Sequence, residues 1–168
     1  MQAKLDEKEL KKNIKNQSVE AVFLAESTGK FTSVDRLIAA HEKALPETLS
    51  KLSHSSDVAT RRRVVSNPNT PTEDFIRLGQ QFSKEFLSNP LLDMLLLEDP
   101  RLLEELPEPL LISILKRPSC PEDFLAWASK LDSEKVQLAV VMNPTLSKKI
   151  KRGSYYDSGN TQLLFGKK

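Results

Sequence analysis

VATRRRVVSNPNTPTEDF, residues 58–75, carries a basic helical pattern that stops against two prolines, Pro68 and Pro71, and restarts at once with acids and apolar residues. Proline lacks the N–H and clashes with the preceding turn, so it cannot continue a helix, yet it is tolerated in the first turn of a new one. The first proline therefore ends a helix, with Asn67 before it taking a left-handed or turn conformation. The second begins the next helix. Glu73 and Asp74 fall in its first turn, where carboxylates complement the helix dipole.

The same phrase recurs on both sides. AHEKALPETLSKLS (40–53) lies over SNPNTPTEDFIRLG (66–79) at an offset of 26, matching Leu49 with Phe75 and Leu52 with Leu78. RPSCPEDFLAWAS (117–129) aligns Pro118 with Pro68 and Pro121 with Pro71, and its EDF triplet at 122–124 with that at 73–75 after a one-residue deletion. NPTLSKKI (143–150) repeats the phrase again, and SNP recurs at 88–90. Imperfect units of about 22–28 residues thus span residues 40–152, and periods of that size mean stacked helix pairs that bury their apolar faces only against one another.

Composition agrees. With 5 glycines, 10 prolines and few alternating Val, Thr and Tyr, the chain reads as all-α. Ser18 before VEAVFLAEST, Gly29 after it, and Thr32 or Ser33 before VDRLIAAHEKA are helix boundary signals. These give three regions: an N-terminal helical cap at 1–39, the repeats at 40–152, and a flexible tail at 153–168. The 168 residues are 39% hydrophobic, enough for a core without disulfides or metals.

The segment RRRVVSNPNTPTEDFIRLG (61–79) resembles the leucine-rich repeat variant family, bacterial helical repeat proteins related to HEAT-like arrays. The resemblance is clearest at 61–79, extends to 117–143, and weakens at 1–39 and in the leucine- and acid-rich 91–116. It implies a short right-handed α-solenoid that binds other molecules by surface. One family member carries a cysteine-rich iron–sulfur segment; Cys120 is the sole cysteine here, so that feature does not transfer.

Net charge is only +2, so no global polyelectrolyte character calls for nucleic acid. Local balance differs: residues 1–66 hold 12 Lys/Arg against 9 Asp/Glu, residues 67–146 hold 7 against 13, and residues 147–168 hold 6 against 1. The start has no apolar signal core and the run LLDMLLLEDP is broken by Asp93 and Glu98, so neither a signal peptide nor a membrane span is expected. A cytoplasmic protein is expected, since a lone cysteine offers no intrachain disulfide framework.

Catalytic, metal and cofactor signals are poor. His41 and His54 lack the i, i+4 relation of paired ligands on a helix and suit surface or capping roles. Cys120 stands where Thr70 stands in the parallel copy, a turn position rather than that of an activated nucleophile. No glycine-rich phosphate loop occurs. A non-enzymatic chain with no cofactor and no metal is expected. Trp127, with Phe124 and Leu131 at helical spacing, is expected in the core.

Three charged sets are candidate partner contacts. Arg61, Arg62 and Arg63 span about 200° of a helix, so one must pack its stem inward while others face out. Their structural reading is contact between repeats, by pairing with an acid such as Asp57 or by capping carbonyls; their functional reading is ligand contact. Asp93, Glu98, Asp99, Glu104, Glu105 and Glu108 form an acidic middle that would suit a basic protein partner. Lys148, Lys149, Lys151 and Arg152 precede a tail bearing Tyr155, Tyr156, Leu163, Leu164 and Phe165, which is either a loose end or a docking peptide. A protein partner, within a larger complex where the array sits beside other modules, is the leading expectation. Nucleic acid held by 61–63 and 148–152 is the alternative, weakened because the repeat counterparts of the arginines are not basic.

Overall fold

The computed structural model describes residues 6–16 and 19–151, with side chains placed through Ser147. Among these residues there are helices and turns but no strand. The helices are α1 (Glu7–Ile14), α2 (Ala21–Ser27), α3 (Thr32–Ala39), α4 (Pro46–Ser53), α5 (Val58–Ser66), α6 (Thr72–Gly79), α7 (Ser83–Ser88), α8 (Pro90–Glu98), α9 (Leu102–Glu105), α10 (Glu108–Leu115), α11 (Glu122–Ala128), α12 (Glu134–Val141) and α13 (Pro144–Lys151). The chain divides into two compact units between Glu104 and Glu105, at the end of α9. No helix among the described residues is long and apolar enough to cross a membrane.

In the first unit, α3 packs against α1 and α5, and α5 packs against α7, while α4 and α6 touch each other and flank α5. In the second, α12 packs against α10, α11 and α13. Helices of four to nine residues are too short to persist alone in water, so packing against the rest of each unit must hold them. The aligned Leu49, Phe75, Leu52 and Leu78 are all buried, as their spacing predicts.

Prolines work at helix starts. Pro46 and Pro90 occupy the first helical position of α4 and α8. Pro71 and Pro121 sit one residue earlier than expected, as the extended cap residues of α6 and α11, with φ of −55° and −56°. There the fixed proline φ sets the entry angle without using a helical position. Gly29 follows α2 at φ +81°, the left-handed geometry glycine adopts without a Cβ penalty. Thr32 opens α3 as expected; Ser18 lies outside the described residues, and Glu20 is the residue preceding α2.

One turn recurs between helices. The carbonyls of Ile38, Val64 and Ile114 accept the amides of His41, Asn67 and Arg117 at 3.0, 2.9 and 3.0 Å. The carbonyls of those three then accept the amides of Ala44, Thr70 and Cys120 at 3.1, 3.2 and 3.0 Å. An extended cap residue follows each time: Leu45, Pro71 or Pro121. Asn13, Asn16, Val19 and Glu20 form the same turn, with bonds of 3.0 and 3.1 Å, inside the region whose sequence pattern is weakest.

This turn also corrects the alignment of the two EDF triplets. With Pro121 in the place of Pro71, Leu125 rather than Phe124 is the counterpart of Phe75, and no deletion is needed. Leu125 and Ala128 are the buried residues of α11, while Phe124 and Trp127 are half-buried, Trp127 standing where α6 has the exposed Arg77. The apolar residues of α11 wrap around too much of a two-turn helix for all to reach the core.

The asparagines before the prolines do not turn left-handed. Asn67 and Asn89 are extended, at φ/ψ of −85°/126° and −87°/126°, the conformation that a following proline imposes. That conformation accompanies side chains reaching back to the preceding unit. Asn67 Nδ2 donates to the carbonyls of Ala39 and His41, both at 3.0 Å. Asn89 Nδ2 donates to those of Val65 and Asn67 at 2.8 and 3.2 Å. In the second unit Asn143 Nδ2 donates to those of Leu115 and Arg117 at 2.6 and 2.8 Å. Each Oδ1 accepts the amide two residues on, from Asn69, Leu91 or Thr145, at 2.9–3.0 Å. All three side chains are buried and use both donors and the acceptor of the amide.

Candidate functional site

The arginine triplet lies on α5. Its neighbours Val64 and Val65 are buried, which fixes the azimuth of the three side chains. Arg61 turns back over the start of the helix, where its Nη1 donates to the carbonyls of Ser55 and Ser56 at 2.6 and 3.1 Å, and its Nη2 reaches Gln81 Oε1 at 3.4 Å. Arg62 extends toward α7, with Nε 3.4 Å from Glu85 and its guanidinium 5.6 Å from the centre of the Phe82 ring. Arg63 is exposed. The triplet therefore divides into a carbonyl cap, a bridge between helices and an outward charge.

Asp57 does not pair with this triplet. Its partner is Arg36 on α3, through two parallel bonds of 2.9 and 2.7 Å, and its Oδ2 also accepts the Thr60 amide and hydroxyl, both at 2.8 Å. Asp57 thus caps α5 while tying it to α3, and Arg61 bonds the Ser55 and Ser56 carbonyls instead. The Arg36 guanidinium, then the Thr60 hydroxyl, hold the Asp57 carboxyl well below its ordinary value of 3.8. A depressed carboxylate stabilises the fold above its unfolded value and loses that contribution as pH falls. Asp57→Asn should therefore lower stability at neutral pH and flatten the loss of stability below about pH 4, read as thermal midpoint against pH.

Sequence reasoning missed a polar cluster between α4 and α6, built on the buried Ser53 and Asp74. Ser53 Oγ lies 2.7 Å from Asp74 Oδ1, and Arg77 Nη2 lies 2.6 Å from each of the two. His54 Nδ1 stands 2.9 Å from Ser53 Oγ and 3.0 Å from the Ser50 carbonyl. Burial raises the Asp74 pKa, but Arg77 and the Ser53 and Ser50 hydroxyls outweigh it and hold the carboxyl below the usual range. Serine, histidine and aspartate meet here without the order of a hydrolytic relay: Asp74 binds the serine rather than the histidine, and Ser53 is fully buried. The arrangement joins two helices. Its only sequence trace is that residues 53 and 74 lie near one repeat period apart.

His54 follows α4, and the other histidine, His41, accepts the Lys43 amide through Nδ1 at 3.1 Å; both act as turn residues. Cys120 is buried in its turn, where Thr70 is also buried, and burial pushes its thiol up to about 12. Thr70 Oγ1 donates to the Val64 carbonyl at 2.6 Å, whereas Cys120 Sγ faces the Pro121 carbonyl at 3.7 Å. Since Ile114 stands in the place of Val64, Cys120→Thr should gain a hydrogen bond to the Ile114 carbonyl. It should raise stability by about 1 kcal/mol, measured by urea unfolding. The native thiol should react with an alkylating reagent at pH 8 only after the fold is opened.

The acidic candidates fall on both sides of the unit boundary. In the first unit Asp93, Glu98 and Glu104 are exposed, and Asp99 accepts the Arg101 amide at 2.9 Å. In the second unit Glu105 is exposed, while Glu108 meets Lys135 and Ser133 at 3.2 and 3.3 Å. Lys148, Lys149 and Lys151 lie on α13, but their side chains and the whole of Arg152 are outside the described residues, as is the tail from 153. Among the described residues no three His, Cys, Asp or Glu side chains gather as a metal-binding group. No family model matches the chain, and neither the curated proteins nor the solved structures supply a match.

Proposed function

We propose that the chain is a non-enzymatic protein-interaction scaffold, a short right-handed α-solenoid of the leucine-rich repeat variant, HEAT-like kind. The observation that carries this reading is how the two charged sets are used. Two of the three arginines on α5 are engaged within the first unit, whereas Asp93, Glu98 and Glu104 of that unit present exposed carboxylates. Exposed carboxylates on a rigid helical frame favour a basic protein surface, with complementarity setting specificity and association rate. Support for the array comes from the asparagine contacts, which join residues 28 and 26, 24 and 22, and again 28 and 26 positions apart. The cytoplasm is the proposed setting.

The test is capture from the source cell on immobilised full-length chain, analysed for protein and nucleic acid. A bound protein that is lost with Asp93→Lys/Glu98→Lys/Glu104→Lys and retained with Arg63→Glu supports the proposal. Bound nucleic acid that is lost with Arg63→Glu and falls steeply with salt overturns it in favour of a nucleic-acid module.

A further inference from the structure

Helix α8 is built from PLLDMLLLE (90–98), yet Leu92 is its only buried residue. Leu91, Leu95 and Leu96 are half-buried, Met94 is 55% exposed, and Leu97, at 83%, is the most exposed large apolar side chain among the described residues. At about 100° of turn per residue, the exposed Asp93, Leu97, Pro90, Met94 and Glu98 follow one another in that order around an arc of about 140°, on the side opposite Leu92. The outward side of α8 is therefore an apolar stripe, Pro90, Met94 and Leu97 at i, i+4 and i+7, with a carboxylate along each edge. Neither carboxylate has a hydrogen bond or an ion pair among the described residues.

The fold does not require this stripe. Helix α13 opens as α8 does: Asn143 and Asn89 each accept, through Oδ1, the amide two residues on at 2.9 Å, Pro144 and Pro90 take the first helical place, and Leu146 and Leu92 are buried. In that register the places of Met94 and Leu97 belong to Lys148 and Lys151. The same backbone thus accepts lysine at both places. Methionine and leucine there gain nothing from the core of the first unit, and a partner that covers them gains their burial.

We propose that this stripe docks a basic amphipathic helix of a partner protein, an inference that rests on the interaction-scaffold reading above. Seven residues at a rise of about 1.5 Å carry the stripe roughly 10 Å along the axis, the spacing that apolar residues at i, i+3 or i+4, and i+7 of a second helix match. Side chains of such a helix pack into the groove between Met94 and Leu97, ridge against groove. Lysine or arginine on both flanks of its apolar face then meets Asp93 on one edge and Glu98 on the other, while an acidic helix is repelled on both. The two edges select the charge of the partner, and the stripe between them selects its apolar face.

Fluorescence anisotropy with labelled peptides of about 18 residues, long enough to form a helix, tests this on the full chain. The first peptide is an amphipathic helix of leucine and lysine, the second has serine in place of leucine, and the third has glutamate in place of lysine. The leucine–lysine peptide should bind best, and Met94→Gln/Leu97→Gln should weaken it by about tenfold or more. Circular dichroism and the urea midpoint should stay unchanged in that variant, since both side chains are exposed. Asp93→Asn/Glu98→Gln should weaken the same peptide by about tenfold at low salt and by less at high salt. Equal affinity of wild type and Met94→Gln/Leu97→Gln would overturn the inference, as would equal binding of the serine peptide or of the glutamate peptide. A dimer of the wild-type chain in sedimentation that Met94→Gln/Leu97→Gln dissolves would also overturn it, because the occupant would then be a second copy. Each of these results leaves standing a captured protein that depends on the carboxylates. Capture that returns no such protein removes the scaffold reading, and this inference with it.

Discussion

Asn67→Ala is expected to lower the stability of the first unit by about 3 kcal/mol, because it removes both donors from buried carbonyls and supplies nothing in their place. The carbonyls of Ala39 and His41 each accept from Asn67 Nδ2 at 3.0 Å, and Oδ1 holds the Asn69 amide at the same distance. Asn67→Asp is expected to be at least as damaging. It preserves shape and the Asn69 contact but places carboxylate oxygen against two carbonyl oxygens. Asn69→Ala is the comparison: this exposed side chain also donates to two carbonyls, of Glu42 and Ala44, at 2.7 and 3.3 Å. Water can replace those bonds, so the loss there should be about 1 kcal/mol or less. Urea unfolding followed by circular dichroism separates the three variants; equal losses for Asn67→Ala and Asn69→Ala would show that the buried bonds are not special.

That contrast bears on what the sequence could reveal. The Asn–Pro pairs stood out as helix breaks, and the proline part of the reading holds, since proline imposes the extended backbone seen at Asn67 and Asn89. The asparagine part required knowing which carbonyls lie one unit back, and no local propensity encodes that. The buried positions of Leu49, Leu52, Phe75 and Leu78 were legible because a fixed offset brings apolar residues to the same helical side. The division between Glu104 and Glu105 was not, because the leucines of 91–116 satisfy a helical pattern in several registers at once. Among the candidate contacts, the triplet at 61–63 could be divided between packing and exposure in principle. Which arginine took which role depended on Arg36 having already claimed Asp57, a contact across 21 residues.

Phe75→Ala is expected to cost about 4 kcal/mol, the largest effect of any side-chain truncation in the first unit. Phe75 of α6 and Phe86 of α7 are both fully buried, with ring centres 4.3 Å apart and planes inclined by 16°. Truncation therefore removes one ring's burial and the contact surface of the other, leaving a cavity that the short flanking helices can only partly close. The repeat comparison sharpens the expectation, because α4 and α11 fill the equivalent position with Leu49 and Leu125, both buried. Leucine is thus compatible with this backbone, and Phe75→Leu should recover most of the loss, ending within about 1.5 kcal/mol of wild type. Urea unfolding measures both. If Phe75→Leu were as damaging as alanine, the flat stacking on Phe86 rather than the filling of a shared repeat position would be what holds α6 to α7. If both were mild, the two rings would be packing at a place where the helices can close without them.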